Sequence, residues 1–175
     1  MNGSSLFATS AALLLLLARA PGAPEPGPEQ RRLNFFAGTW SFRLDMKPNP
    51  FGPGGIVTGT DRNEMLPGGF FLVRRFETKS PVGDIRGLEV IGYDSEARAY
   101  LQRGFDSFGQ AHTYRGTVQG DTWTWTYEAK AGGQLYKVRI TLKEASPILQ
   151  IYRSDISPDG ETWTTVLEGT LRKER

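Results

Sequence analysis

Thr122-Trp123-Thr124-Trp125-Thr126-Tyr127-Glu128 alternates polar and aromatic side chains without a break, and after Gly132-Gly133 the alternation resumes in Tyr136-Lys137-Val138-Arg139-Ile140-Thr141-Leu142-Lys143. A period of two places Trp123, Trp125 and Tyr127 on one face of a strand, with threonines and Glu128 on the other. The second segment likewise sets Tyr136, Val138, Ile140 and Leu142 against Lys137, Arg139, Thr141 and Lys143. Segments of this kind are strands with one buried and one solvated face. Gly-Gly between them suits a tight reversal, so the two are expected to pair antiparallel.

The same pattern extends through most of the chain. Strands are expected near Thr39–Lys47, Gly55–Met65, Phe70–Lys79, Arg86–Tyr93, Ala99–Asp106, Ala111–Val118, Thr122–Lys130, Leu135–Glu144, Leu149–Ile156 and Thr162–Arg172. The breaks carry turn chemistry, among them Pro67-Gly68-Gly69, Gly120-Asp121, Ser146-Pro147 and Pro158-Asp159-Gly160. Short connectors favour neighbour-to-neighbour pairing. The expected fold is therefore all-β: an antiparallel up-and-down barrel of about ten strands, preceded by a short helical turn. A two-sheet sandwich would show the same alternation, but the unbroken series of short connectors favours the barrel.

The chain has 175 residues, room for one domain with a substantial core. Its net charge is +2, with Lys and Arg interspersed among Asp and Glu, so no nucleic-acid partner is expected. There is no cysteine, which excludes disulfides, thiolate catalysis and cysteine-based zinc sites. Leu6–Ala18 is apolar, too short for a spanning helix but suited to a signal-peptide core, and Ala18-Arg19-Ala20 places small residues at the cleavage positions. Two features oppose this: no Lys or Arg precedes the apolar run, and Pro21 would follow the cut. The expected organisation is a signal peptide over residues 1–20, a Pro-rich linker over 21–30 and a barrel domain over 31–175. A periplasmic or secreted location follows, with no integral membrane span in the mature chain. Glu29–Phe36 carries Leu33, Phe35 and Phe36, apolar residues able to plug one barrel end.

Leu33-Asn34-Phe35-Phe36-Ala37-Gly38-Thr39-Trp40 resembles the opening of a lipocalin-type barrel, where a helical turn leads into a Gly-x-Trp strand. Together with Leu66-Pro67-Gly68-Gly69-Phe70-Phe71, Ile91-Gly92-Tyr93-Asp94 and Tyr100, the chain is similar to a bacterial family of uncharacterised domains with a lipocalin-like (calycin-like) barrel. The resemblance implies a fold and no established activity. Related barrels bind small apolar molecules, and a nitrobindin-like branch binds haem through a histidine near the C-terminus. The only histidine here is His112, in mid-chain, so haem is not carried over and no cofactor is expected. Lipocalins also pack an arginine of the last strand across the Trp. Arg172 stands where that role would fall, or is a solvated terminal charge.

No stretch matches Gly-x-Ser-x-Gly, a P-loop or a dinucleotide fingerprint. His112 lacks a paired ligand spacing, so neither a metal site nor a catalytic residue is assigned. Polar residues on inward faces are better candidates. Arg103, Tyr114 and Arg153 stand in mid-strand, and of the adjacent Arg74 and Arg75 one must face inward in a regular strand. Turned inward, such residues would form an Arg/Tyr clamp for a ligand carboxylate; turned outward, they would pair with acids on neighbouring strands. A slip of one residue reverses every assignment. Trp123, Trp125 and Tyr127 either fill the core or wall a cavity, and Trp40 would close the barrel floor.

The expected function is an exported barrel holding a small apolar or amphipathic ligand, with Trp40, Arg103, Tyr114, Trp123, Trp125, Tyr127 and Arg153 as candidate binding residues. An enzyme using His112 or a Tyr/Arg pair is the weaker reading. A filled structural barrel serving a protein partner is the third.

Overall fold

In the computed structural model, residue 22 and residues 24–175 are described; the apolar run Leu6–Ala18 lies outside them. A helix, α1 (Pro28–Arg32), and a 3₁₀ turn (Leu33–Phe35) precede ten strands. These are β1 (Gly38–Met46), β2 (Gly55–Met65), β3 (Phe71–Ser80), β4 (Gly83–Asp94), β5 (Ala99–Asp106), β6 (Ala111–Gln119), β7 (Thr122–Ala131), β8 (Gln134–Ser146), β9 (Leu149–Ser157) and β10 (Thr164–Lys173). Each strand pairs antiparallel with its sequence neighbours, and β1 pairs with β10 from Trp40 opposite Lys173 to Met46 opposite Leu167, closing the barrel. Closure excludes the sandwich and leaves no free edge.

Turn chemistry sets the strand limits. Between β7 and β8, Gly132 and Gly133 both take positive φ, the geometry of a two-residue hairpin loop that side chains with a Cβ resist. β4 begins at Gly83, earlier than the alternation indicates, because Ser80 and Gly83 pair directly across the Pro81-Val82 turn. β10 begins late, at Thr164. The Asp159 carboxylate accepts from the amides of Glu161 and Thr162 and from the Ser157 hydroxyl, holding that segment in a turn. Helix α1 takes in Pro28, Glu29 and Gln30 from the Pro-rich stretch; proline at the first helical position gives up no helical hydrogen bond.

The helical segment closes one end. Leu33 and Trp40 are fully buried, and the Trp40 indole N–H donates to the Phe36 carbonyl at 2.8 Å, with Asn63 Nδ2 donating to the same oxygen at 2.9 Å. Phe36 meets the Trp123 ring edge-on at 4.9 Å. Arg32 donates to the Gly120 carbonyl and to Glu144, and the Tyr100 hydroxyl donates to Glu29, so the plug is tied to several strands. Lys173, not Arg172, lies over Trp40, with its Nζ 5.5 Å from the ring. Trp40 pairs with Lys173 while Arg172 pairs with Ser41 and is exposed, so of its two readings Arg172 takes that of a solvated charge on the outer face. Among the described residues, no helix is long and apolar enough to cross a membrane.

Candidate functional site

Inside the barrel, above the Phe36–Trp40 floor, lies a cavity of about 340 Å³. Its two sides differ in chemistry. On one side β2, β3 and β4 turn Asp61, Arg74 and Glu89 inward. On the other, β6 to β9 present Tyr114, Trp125, Tyr127, Ile140, Leu142 and Tyr152, and Leu72, Ile91 and Leu171 complete the apolar lining.

Register explains why there is space. Gly59 stands opposite Phe42, Gly87 opposite Phe76 and Gly116 opposite Trp125. At each pair the ring lies over the glycine, where a Cβ would collide with it. A strand glycine permits this close approach. Gly104 serves Glu89 in the same way: a Cβ there would stand 2.9 Å from Glu89 Cγ.

The polar side is an ion triad. Arg74 Nη2 donates to Asp61 Oδ1 at 2.9 Å and Arg74 Nη1 to Glu89 Oε2 at 2.5 Å. The two carboxylates are almost wholly buried, and Arg74 is 27% exposed. Burial pushes the Asp61 carboxyl above its usual range against the pull of Arg74. Burial also works against the Arg74 charge, but Asp61 and Glu89 more than offset it and the guanidinium stays protonated. Facing the triad, Tyr114, Tyr127 and Tyr152 have their phenols raised chiefly by burial, with the negative charge of Glu89 adding to it, and Tyr127 reaches about 12. All three are neutral hydroxyls at ordinary pH.

Three buried polar atoms have no protein partner among the described residues: Arg74 Nε, Asn63 Oδ1 and Gln150 Oε1, and all three residues line the cavity. The end away from the helix carries Thr78, Ile85, Phe105, Asp106 and His112. The helical plug covers the opposite end at Leu33, Phe36 and Trp40, so this end is the mouth. His112 Nε2 lies 3.6 Å from Asp106 Oδ2, and its ring centroid is 6.0 Å from those of Tyr114 and Tyr127. No group of three or more metal-ligating side chains occurs among the described residues.

Of the residues singled out in the sequence, Trp40, Tyr114, Trp125 and Tyr127 line the cavity. Trp123 lies beneath it, fully buried and stacked on Trp125 at 6.2 Å, with its indole N–H donating to Glu144. Arg103 is exposed on the outer face, and Arg153 is paired outside with Asp155 at 2.8 Å. The structure does not bring these two arginines to the cavity. The inward arginine is Arg74; Arg75 faces out and pairs with Glu64. Asp61, Glu89, Asn63, Gln150 and Tyr152 were not singled out. The pairing of Arg74 with Arg75 was the available signal for this wall. Glu89 gives none, because Leu88 and Val90 beside it are apolar on the opposite face.

No curated protein matches the chain in sequence. Among solved structures, Rv2717c from M. tuberculosis is similar with a TM-score of 0.58 at 13% identity, covering 86% of this chain and 100% of that one. The S-type phycobiliprotein lyase CPES from Guillardia theta is similar with a TM-score of 0.53 at 13% identity, covering 84% of this chain and 93% of its own. At such identity the likeness is one of fold. Residues 25–173 match the family described as protein of unknown function (DUF1579), and the chain belongs to that family.

Proposed function

We propose that this chain is an exported barrel that binds one small apolar or amphipathic molecule. The cavity carries the reading: about 340 Å³ between an aromatic and aliphatic side and a polar one. Pockets for small organic ligands span roughly 300–1,000 Å³. Release of water from the apolar side would drive binding, and the polar side would fix orientation. A barrel filled from wall to wall would leave no such space. Asn63 Oδ1 and Gln150 Oε1 support the reading, since buried polar atoms in folded proteins nearly always have a partner and a ligand donor would supply one. Export rests on the apolar run Leu6–Ala18 and the Ala18-Arg19-Ala20 site, and implies a periplasmic or secreted barrel.

Native mass spectrometry of protein purified from its own host tests both parts. A mass excess that disappears on denaturation supports a retained ligand, and a chain beginning at Pro21 supports export. A clean apo mass, with no thermal shift against long-chain amines, alcohols, fatty acids, haem and hydrophobic dyes, overturns the binding reading. Retention of residues 1–20 overturns export.

A second reading, acid–base chemistry in the same cavity, draws on His112 and Asp106 at the mouth beside Tyr114 and Tyr127. It requires that His112→Ala abolish conversion of a bound compound while leaving its retention intact.

A further inference from the structure

The charge of the lining limits the kind of ligand the cavity can take. Five lining groups are acids or bases: Asp61, Glu89 and Asp106 as acids, Arg74 and His112 as bases. The acids outnumber the bases three to two, and at the triad two carboxylates share one guanidinium. Both terminal nitrogens of Arg74 are engaged by carboxylates, which leaves only Nε unpartnered. An entering carboxylate would bring a third negative charge beside Asp61 and Glu89, out of water, where like charges are costly.

We propose that the cavity takes a cationic amphiphile, a protonated amine or amidine on an apolar body, with the cation seated against Asp61 and Glu89. One added cation converts a set of two acids and one base into a balanced set of two and two. Burial raises the Asp61 carboxyl against the pull of Arg74, and a second cation beside it would add to that pull and favour the charged form. Asn63 stands two residues from Asp61 on the same inward face of β2, and its unpaired Oδ1 supplies a further acceptor for an N–H donor. Tyr114, Trp125 and Tyr127 across the cavity supply an apolar aromatic surface for the ligand's body. The proposal rests on the ligand-binding reading above and names the ligand class for the same site.

The test is a matched series on the delipidated mature protein at neutral pH, with octylamine, octanol and octanoate compared by calorimetry. The expected order is octylamine first, tighter than octanoate by about tenfold or more, as one charge-assisted contact provides. Glu89→Gln and Asp61→Asn, each checked for a native circular dichroism spectrum, should narrow the amine-to-octanoate ratio. Octanoate binding as tightly as octylamine, or octanol matching it, overturns the charge assignment while the binding site stands. Failure of all three to bind counts against the site itself.

Discussion

Gly116 on β6 stands directly opposite Trp125 on β7, and the indole lies so close over it that a Cβ would come within 2.5 Å of two ring carbons. The glycine is needed for space, since its φ is not in the left-handed region. Gly116→Ala should push Trp125 into the cavity. Overpacking of this kind costs about 1–3 kcal/mol, read as a fall in the urea midpoint with an unchanged slope. The variant should also lose affinity for any cavity ligand. A stable variant with full affinity would mean that the ring has room to turn elsewhere.

Arg74 holds two buried carboxylates, so its removal should be more damaging than removal of the whole triad. Arg74→Met leaves Asp61 and Glu89 unpaired and is expected to cost about 3 kcal/mol or more. Replacing all three with apolar residues of similar volume should recover most of that stability. Equilibrium denaturation of the two variants checks the contrast. If they are equally unstable, the triad is serving a structural purpose that apolar packing cannot meet.

The barrel was legible because the alternation is sharp where one face is wet, as from Thr122 to Lys143. Trp125 and Tyr127 were legible with it, being large rings on the apolar face of such a strand. Asp61 and Glu89 were not, because an inward acid looks identical to an outward one until register is known. β4 hides its parity, with Leu88 and Val90 apolar on one face and Ile91 and Tyr93 on the other. The same one-residue ambiguity separates Arg172 from Lys173 over Trp40, and outward Arg103 from its inward neighbours Gln102 and Gly104.

Trp40 joins the floor to the plug through packing and one hydrogen bond. Trp40→Ala should cost about 3–5 kcal/mol, the usual range for deleting a buried aromatic ring. Trp40→Phe should keep most of the packing and lose chiefly the bond to the Phe36 carbonyl, about 1 kcal/mol or slightly more with the acceptor buried. Thermal unfolding of the pair separates the two contributions. Equal losses would assign the role to the indole N–H alone.

Asp159 gives the clearest pH signature. Its carboxylate accepts from the amides of Glu161 and Thr162 and from the Ser157 hydroxyl, and these bonds lower it from an ordinary value of 3.8 to about 2. Because the folded value is depressed, the contribution is fully present above the unfolded value and is lost as pH falls through the folded one. Asp159→Asn keeps an acceptor but removes the charge. The stability gap between wild type and this variant should therefore be constant from neutral pH down to about 4, shrink between about 4 and 2, and close below that. Asp155, also depressed, is present in both proteins and cancels from the difference. Urea denaturation across that pH range measures the gap. A gap that stays constant through pH 2 would assign the turn's stability to hydrogen-bond geometry rather than to the carboxylate charge.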